Sequence, residues 1–429
     1  MCGKEIIMTF FPNLRFPGFE NEWEVKKLGD VIKFKAGYAF KSVNMLSEKS
    51  NYQLLKMSNI YQNELRLDRN ASYWENINDK IKEFLLQKGD SVLTLTGTVG
   101  KKDFGYSVMI DDDDKYLLNQ RLVLLREKKG KSINGYINQI LLSERFLFYF
   151  FAEAKGGTGN QTNVGIDDIK NIQLYFPIIL EQQKVSSFFA LIDTRIQTQK
   201  KIIEKLETLM KVSRINIFSQ KLRFKDEQGY DFPDWKKLKL GKIGNFQTSS
   251  IDKLSKENEN EVYLVNYMNV YRHEDINSST IKSFQKVTAK EQQITSCNLK
   301  KGDILFTPSS ETPDDIGHSV VISENLENAV FSYHLMRFRP KIEIDILYSH
   351  HFCNVPIVLN QLSKFATGST RFTISVKSFS DVEISLPSLP EQKVIGRLLS
   401  LVENKIDTEK QILEKLELQK KFLLGNLFV

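Results

Sequence analysis

The strongest constraint on this 429-residue chain is a stretch that occurs twice, each time as one long amphipathic segment that follows a globular one. Matching residues lie 210 positions apart throughout: Pro177 and Pro387, Glu181 and Glu391, Glu204 and Glu414, Phe218 and Phe428. A period of about half the chain predicts a duplicated two-part unit and not a solenoid.

Shorter landmarks recur in the same order before each long segment. They are Leu14-Arg15-Phe16 and Leu222-Arg223-Phe224, Trp23 and Trp235, Lys88-Gly89-Asp90 and Lys301-Gly302-Asp303, Gly105 and Gly317, and Thr158-Gly159 and Thr367-Gly368. Between these landmarks the two copies differ widely. The pattern therefore predicts one framework that is used twice and carries two different surfaces.

The long segments, about residues 180–219 and 387–429, have apolar residues at alternating spacings of four and three, which is the coiled-coil heptad. The stripe positions are Val185, Phe189, Ile192, Ile196, Ile203, Leu206 and Met210 in the first copy, and Leu399, Val402, Ile406, Leu413 and Leu416 in the second. Gln199 and Glu409 interrupt the stripe at polar positions. Forty residues make a rod of about 60 Å. A narrow stripe needs a partner helix, and two like surfaces meet through a two-fold axis, so we expect the copies to pair antiparallel.

Short β-type runs precede each long helix, together with helical segments predicted at residues 133–151 and 350–362. The first of these runs is predicted as a strand at residues 31–34. We predict an α+β fold with two α/β domains joined by two long antiparallel coiled-coil helices, in a pseudo-two-fold internal duplication. The predicted boundaries are an N-terminal segment at 1–24, domain 1 at 25–176, helix 1 at 177–220, domain 2 at 221–386 and helix 2 at 387–429.

The composition, with 41% hydrophobic and 26% charged residues, is typical of a globular protein. A net charge of +7 favours a polyanionic partner without identifying one. The three cysteines are scattered, which predicts a reducing compartment and no zinc site. Because no run of about 18 apolar residues occurs, we expect no membrane span and a cytoplasmic protein.

A symmetric frame with two different heads suits double-stranded DNA, whose backbones are related by local two-fold axes. Lysine and arginine would contact phosphates, and amide and hydroxyl side chains would contact base edges. Polar loops in both domains offer these residue types. The candidate DNA-binding residues are Thr96, Thr98, Lys101, Lys102, Asn160, Gln161 and Thr162 in the first domain, and Ser309, Ser310, Ser369, Thr370 and Arg371 in the second.

Other interpretations stay open for several of these features. Lys101, Lys102 and Arg371 are also typical of a solvated surface. The glycine-rich stretch at 156–159 lacks the Lys-Ser or Lys-Thr of a phosphate loop and could be a turn. The acidic run at 111–114 is typical of a loop tip, since its spacing is not that of a calcium loop.

The ring residues and histidines have plain structural interpretations. Trp23, Trp74 and Trp235 are more typical of packing than of base stacking. The five histidines show neither metal-ligand spacing nor a nucleophile beside them, so the sequence predicts no catalytic residue and no metal site. The histidines are His273, His318, His334, His350 and His351.

In its duplicated motifs the chain resembles the specificity subunit of type I restriction–modification systems, the HsdS family. The second helix starts with Leu-Pro-Ser-Leu-Pro-Glu-Gln at residues 386–392, and residues 176–182 form a weaker copy that lacks the second proline. The Lys-Leu-Glu bodies that follow Ile202 and Ile412, the tryptophan-to-Leu-Gly openings at Trp23 and Trp235, and the Thr-Gly loops complete the resemblance, which covers essentially the whole chain.

The resemblance implies two target-recognition domains, one for each half of a gapped DNA site, and two helical spacers. It also implies partners: two methylation subunits that use S-adenosylmethionine, and restriction subunits that use ATP and Mg²⁺. This chain itself would bind no cofactor and would be no enzyme. The alternative is a stand-alone methyltransferase or nuclease, but the sequence has no Asn/Asp-Pro-Pro-aromatic motif and no nucleotide-binding loop.

Overall fold

The computed structural model describes residues 9–156 and 160–428, so Cys2 and the middle of the glycine-rich stretch lie outside the described residues. The chain divides into two compact units. The first contains the residues up to Lys200 and those from Gln411 onwards, and the second contains Lys201–Lys410. Each unit holds one end of each long helix, so the units do not coincide with the predicted domain boundaries.

The first unit contains fifteen of the described strands, most of them short. They are β1 Thr9–Phe10, β2 Trp23–Lys27, β3 Ile32–Ala36, β4 Tyr52–Leu55, β5 Ile60–Tyr61, β6 Glu64–Leu65, β7 Tyr73–Trp74, β8 Ser91–Thr94, β9 Thr96–Thr98, β10 Ser107–Met109, β11 Tyr116–Leu118, β12 Leu122–Glu127, β13 Lys155–Gly156, β14 Gln161–Asn163 and β15 Gln173–Phe176. They form sheets in the orders β1-β2-β15, β10-β8-β12-β3, β11-β4-β7, β13-β14-β9 and β5-β6.

Short helices cover these sheets, and the first half of a long helix also belongs to this unit. They are α1 Leu28–Val31, α2 Asp79–Lys82, α3 Asn134–Leu142, α4 Glu144–Ala152, α5 Ile166–Asn171 and α6 Ile179–Phe218. The largest core of the unit joins Trp23 and Tyr136 to the start of α6 at Phe189 and to the chain end at Phe428. Burial of these rings is the main force that holds both helix ends against the domain.

The second unit contains the remaining described strands and helices. The strands are β16 Lys236–Lys239, β17 Gly244–Thr248, β18 Asn260–Val265, β19 Lys286–Ala289, β20 Ile304–Phe306, β21 Ser309–Ser310, β22 Ser319–Val321, β23 Ala329–Phe331, β24 Met336–Pro340, β25 Phe372–Thr373 and β26 Glu383–Leu386. The helices are α7 Leu240–Ile243, α8 Tyr267–Tyr271, α9 Glu291–Cys297, α10 Ile346–Phe352, α11 Pro356–Phe365, α12 Val376–Asp381 and α13 Leu389–Leu427.

Two sheets of the second unit repeat two sheets of the first. The four-stranded order β22-β20-β24-β17 corresponds to β10-β8-β12-β3, and β23-β18-β19 corresponds to β11-β4-β7. Even the parallel pairing of β4 with β11 recurs between β18 and β23. The predicted internal duplication is therefore confirmed at the level of strand order and direction.

Both long helices are confirmed, and they start at equivalent positions. Helix α6 begins at Ile179 and α13 at Leu389, 210 residues later, although α6 lacks the second proline. In each copy a glutamine side chain donates to the carbonyl of the proline at the start: Gln182 to Pro177 and Gln392 to Pro387, both at 2.9 Å. These bonds satisfy carbonyls that precede the helix and hold its first turn.

Two helix predictions were wrong, and one predicted strand is shifted by one residue. The helix predicted at 133–151 is two helices, because Ser143 is extended and its hydroxyl caps α4 by accepting from the Phe146 amide. The helix predicted at 350–362 is also two, since Pro356 at the start of α11 cannot donate to a preceding turn. The first predicted strand, at 31–34, starts one residue later at Ile32 because Val31 ends the α1 turn.

Within residues 9–156 and 160–428, no helix has the combination of length and apolar character needed to cross a bilayer.

Candidate nucleic-acid interface

Four of the predicted DNA-binding residues in the first unit lie on two neighbouring strands, and a fifth, Asn160, directly precedes the second strand. Strand β14 pairs antiparallel with β9, with Gln161 opposite Thr98 and Thr162 opposite Gly97. Asn160 and Gln161 are exposed, whereas Thr96 and Thr162 are buried. Since side chains alternate between the faces of a strand, the exposed residues can reach a ligand and the buried threonines support the strands beneath them.

The turn that follows β9 presents Lys101 and Lys102, which are exposed. Asp103 holds this turn, because its carboxylate accepts from the Thr98 amide at 2.8 Å and from the Thr98 hydroxyl at 2.7 Å. These hydrogen bonds lower the pKa of Asp103. A Cβ on Gly97 would lie 2.3 Å from the ring of Phe104, so only glycine fits there. Asp103 was not among the predicted residues, because its role depends on the turn that brings it back to Thr98.

The second unit brings its predicted residues together in the same place on the framework. Strands β21 and β25 pair antiparallel, with Ser309 opposite Thr373. Arg371 donates from Nε and Nη2 to the Ser309 hydroxyl at 3.3 and 3.0 Å. Ser369 and Thr370 are exposed in the loop before β25, while Ser309 and Ser310 are buried. Arg371 is thus oriented by a buried serine at the edge of an exposed loop.

Two tyrosines that the sequence analysis did not select lie beside this loop. Tyr267 and Tyr271 on α8 stack with ring centroids 5.8 Å apart. The Tyr267 hydroxyl donates to the Ser309 carbonyl at 2.9 Å, and the Tyr271 hydroxyl donates to Asp315 at 3.1 Å. That hydrogen bond and the charge of Asp315 raise the pKa of Tyr271. The i, i+4 spacing of the two rings was the available signal.

Charged pairs hold the helix segments antiparallel within each unit. In the first unit Lys200 pairs with Glu417 at 3.3 Å, and Asp193 pairs with Lys420 at 2.6 Å. Residue numbers rise along α6 as they fall along α13, so these segments run antiparallel. Ion pairs of this kind set register and orientation more than they add stability.

The second unit has the matching arrangement. Glu207 pairs with Lys410 at 2.7 Å. Lys410 is the equivalent of Lys200 in the other copy, 210 residues later, and Glu207 is the equivalent of Glu417, 210 residues earlier. The predicted stripe residues are buried or half-buried in both units. In the first unit these are Val185, Phe189, Ile192, Ile196, Leu413 and Leu416, and in the second Ile203, Leu206, Met210, Leu399, Val402 and Ile406.

The short motif shared by Leu14-Arg15-Phe16 and Leu222-Arg223-Phe224 has a positioning role. Arg15 forms a bidentate pair with Glu181 at 2.9 and 2.8 Å, and Arg223 pairs with Glu391 at 2.8 and 3.1 Å. Both glutamates are almost completely buried, at 1% and 0% exposure. Each arginine therefore neutralises a buried carboxylate in the first turn of a long helix.

Two adjacent histidines in the second unit contact an acidic residue that is distant in the sequence. His350 and His351 on α10 point their Nε2 atoms at Glu403 on α13, at 3.3 and 3.9 Å from one carboxylate oxygen. Arg214 on α6 contacts the Nδ1 atom of His351 at 3.0 Å. Burial lowers the pKa of His351 to about 3, so its ring is neutral near pH 7. These histidines have no role that could be predicted from their spacing, because Glu403 lies about fifty residues away in the sequence.

Each unit thus places polar residues of a different identity on a copy of the same framework, which defines a protein with two related binding domains. The family described as "Type I restriction modification DNA specificity domain" matches residues 20–208 and again 233–418. The chain belongs to this family and carries its domain twice. Its role is DNA recognition in a type I restriction–modification system.

Two relatives from Methanocaldococcus jannaschii align over nearly their full length. The putative type I restriction enzyme MjaX specificity subunit is 23% identical over 447 residues, covering 98% of this chain and 97% of the relative. The type I restriction enzyme MjaVIII specificity subunit is 26% identical over 441 residues, covering 98% and 96%.

Two solved structures have the same fold. The S subunit of a type I restriction–modification system from M. genitalium gives a TM-score of 0.60 at 16% identity, covering 98% of this chain and 99% of that one. A chain from a study of complex assembly and conformational transition of the type I R-M system gives 0.55 at 15% identity, covering 97% and 99%. The duplicated fold with two long helices is therefore shared with these proteins.

Proposed function

We propose that the chain is the non-catalytic specificity subunit of its system, and that each domain reads one half of a gapped DNA target. The single observation that carries this proposal is the duplication itself. The same strand order occurs twice, while the side chains at the equivalent polar strands differ, as with Gln161 in the first copy and Arg371 in the second. Two half-sites of different sequence, read by related domains, would require this combination.

The exposed loops supply the chemistry that each half-site needs. In the first domain, Lys101 and Lys102 suit phosphate contacts, and Asn160 and Gln161 suit bidentate contacts to a base edge. In the second domain, Arg371 suits guanine, whose O6 and N7 accept from a guanidinium fork. Buried Thr96, Thr162, Ser309 and Ser310 would act beneath these residues by holding the strands.

Docking of two methylation subunits is supported by apolar side chains that stay exposed on the long helices. They include Leu191, Leu209, Val212, Leu401, Leu418 and Phe422, which are 47–72% exposed. An apolar face of this kind is typical of a surface that a protein partner covers. We propose that S-adenosylmethionine is bound by these methylation subunits, that ATP and Mg²⁺ are bound by restriction subunits, and that this chain binds none of them.

Exchange of one domain tests the assignment of the two domains to the two half-sites. Residues 25–176 would be replaced by the equivalent segment of another family member, and methylated adenines would be mapped genome-wide in a host that carries the complete system. One half-site should change while the other half-site and the gap remain. The reciprocal exchange of residues 221–386 is the matched control and should change only the other half-site. A change in both half-sites from one exchange contradicts the proposal.

A second experiment tests the absence of catalysis in this chain. The purified chain would be incubated with DNA and S-adenosylmethionine, with and without the methylation subunits. Methyl transfer should require those subunits. Transfer or cleavage by the chain alone would favour the alternative of a stand-alone methyltransferase or nuclease.

A further inference from the structure

We propose that His350, His351 and Glu403 form a binding site for a divalent transition-metal ion such as Zn²⁺, which ties the second domain to the second long helix. The three residues come from two elements, α10 and α13, that are separated in the chain and packed together within the second unit. Each residue offers one ligand atom, and these atoms all lie within 4.8 Å of one another.

The shortest of these distances already fits two corners of a metal-centred tetrahedron. Bonds of about 2.0–2.2 Å to nitrogen and oxygen place neighbouring ligand atoms roughly 3.3–3.5 Å apart. The Nε2 atom of His350 lies 3.3 Å from Oε2 of Glu403, and Nε2 of His351 lies 3.9 Å from the same oxygen. Small side-chain rotations would bring the second distance into range. Two imidazoles and a carboxylate are a donor set that zinc accepts, with the fourth position left to water.

Access and preparation of the ligands also favour metal binding. A cavity of about 390 Å³, lined by Arg214, Asn354 and Glu403, opens beside the site and gives an ion and its water a route in. The Asn354 amide donates to the His350 carbonyl at 3.3 Å and so steadies the C-terminal end of α10.

Arg214 is the group that the metal must displace. Its Nη2 atom now donates to Nδ1 of His351 at 3.0 Å, which requires the proton of the neutral ring to be on Nε2. Coordination through Nε2 requires the proton on Nδ1, and a guanidinium cannot accept it. Arg214 already lies 3.7 Å from the other carboxylate oxygen of Glu403, so it can shift to that oxygen when the metal enters.

Zinc titration of the full-length chain tests the proposal. The chain would be treated with a chelator, and Zn²⁺ alone would be titrated against a competing fluorescent indicator. One ion should bind per chain, and Co²⁺ in its place should give the visible absorption of a tetrahedral nitrogen and oxygen site. A Cys2→Ser variant controls for binding by the thiolate at that position.

Substitutions at the site give the decisive comparison. His350→Gln and Glu403→Gln change partly exposed side chains and should each weaken Zn²⁺ binding by more than the ~10–100-fold that loss of an outer partner costs. His334→Gln changes a histidine outside the site and should leave the affinity unchanged. Arg214→Gln should raise the affinity, because the amide oxygen can accept from Nδ1 whereas the guanidinium cannot.

The folded state of each variant is checked by its circular dichroism and melting in the absence of metal. Zn²⁺ should raise the melting midpoint of the wild-type chain and leave that of folded His350→Gln unchanged, since only a bound ligand stabilises. A wild-type chain that binds no Zn²⁺, or an affinity that survives both His350→Gln and Glu403→Gln, overturns the proposal.

Discussion

The amide of Leu14 donates to the carbonyl of Asn426 at 3.2 Å, and the amide of Leu222 donates to the carbonyl of Asn216 at 3.0 Å. In the second case five residues of continuous chain, 217–221, join the two partners. In the first case the same contact is made between two residues that lie 412 positions apart in the described chain. The hydrogen bond that follows the end of α6 therefore has an equivalent at the end of α13, although no covalent connection joins its two partners there.

This contact predicts that the chain tolerates circular permutation. A flexible Gly/Ser linker would replace residues 1–8 and join the end of α13 to Thr9, and new termini would open in the turn at 219–221. The free energy of unfolding should change by no more than about 1 kcal/mol, because closing one loop and opening another nearly cancel. Thermal melting and DNA binding of the assembled complex measure the result. New termini placed inside β12, which is central to its sheet, should abolish folding and serve as the control.

The buried ion pair at the start of α6 predicts a large loss of stability on truncation of Arg15. Arg15→Ala leaves Glu181 buried without its cation, which typically costs about 3–5 kcal/mol. Arg66→Ala breaks an exposed pair with Glu64 and should cost no more than about 1 kcal/mol. Urea unfolding of both variants gives the comparison. Equal losses in the two variants would mean that the buried carboxylate is solvated and that the Arg15 pair has no special role.

The two kinds of polar residue in the first domain predict different effects on DNA binding. Lys101→Ala should weaken binding to all sequences alike and lower the slope of affinity against salt by about 1, as expected for one phosphate contact. Gln161→Ala should instead cost about 1–3 kcal/mol at one base pair and relax the specificity there. Binding of the methylation complex to a panel of single-base target variants at several salt concentrations separates these effects. Lys129→Ala, in the loop before α3, is the control for a lysine outside the site.

The ion pair between Lys200 and Glu64 predicts a pH-dependent contribution to the stability of the first unit. The hydrogen bond and the charge of Lys200 lower the pKa of Glu64 from its ordinary value of 4.5. A carboxyl whose pKa is lowered by folding contributes stability above its unfolded pKa and loses it as the pH falls through the folded pKa. Lys200→Met should therefore cost up to about 1 kcal/mol near pH 6 and progressively less below pH 4.5.

Urea unfolding of this variant from pH 3 to pH 7 measures that difference. Lys410→Met is the matched control, because the described contacts of Lys410 include the long-helix partner Glu207 but no equivalent of Glu64. A cost of Lys200→Met that stays constant with pH would contradict the assignment of the shift to this pair.

The long helices predict a target gap that depends on their length. Along each long helix, an insertion that preserves the register can be placed between the Lys200–Glu417 pair and the Glu207–Lys410 pair. Seven residues inserted in both helices, after Lys200 and after Lys410, add about 10 Å to each and keep the heptad in phase. Methylation mapping should then show a gap longer by about three base pairs and unchanged half-sites. Four residues inserted in α6 alone disturb its pairing with α13 and should weaken assembly instead.

The sequence by itself determined the duplication, the two long helices and the class of protein. These properties are carried by identical residues at a constant offset, such as Pro177 and Pro387, and by apolar residues at heptad spacing, such as Phe189 and Ile196. Such signals are local or repeat along the chain, so they can be seen without knowledge of contacts. The polar strand segments that form the candidate interface were found for the same reason, because they lie next to repeated landmarks.

Tertiary structure decided which of those polar residues are exposed and which others join them. Thr96 and Thr98 are two residues apart on one strand and both pair with β14, yet Thr96 is buried and Thr98 is half-buried, a difference that their spacing does not show. Asp103 enters the candidate surface through a local turn that returns to Thr98, and Tyr271 enters it through a helix whose partner Asp315 lies 44 residues away. His351 and Glu403 meet because α10 packs on α13. Side-chain environments depend on the long-range packing of elements, which residue spacing alone does not specify.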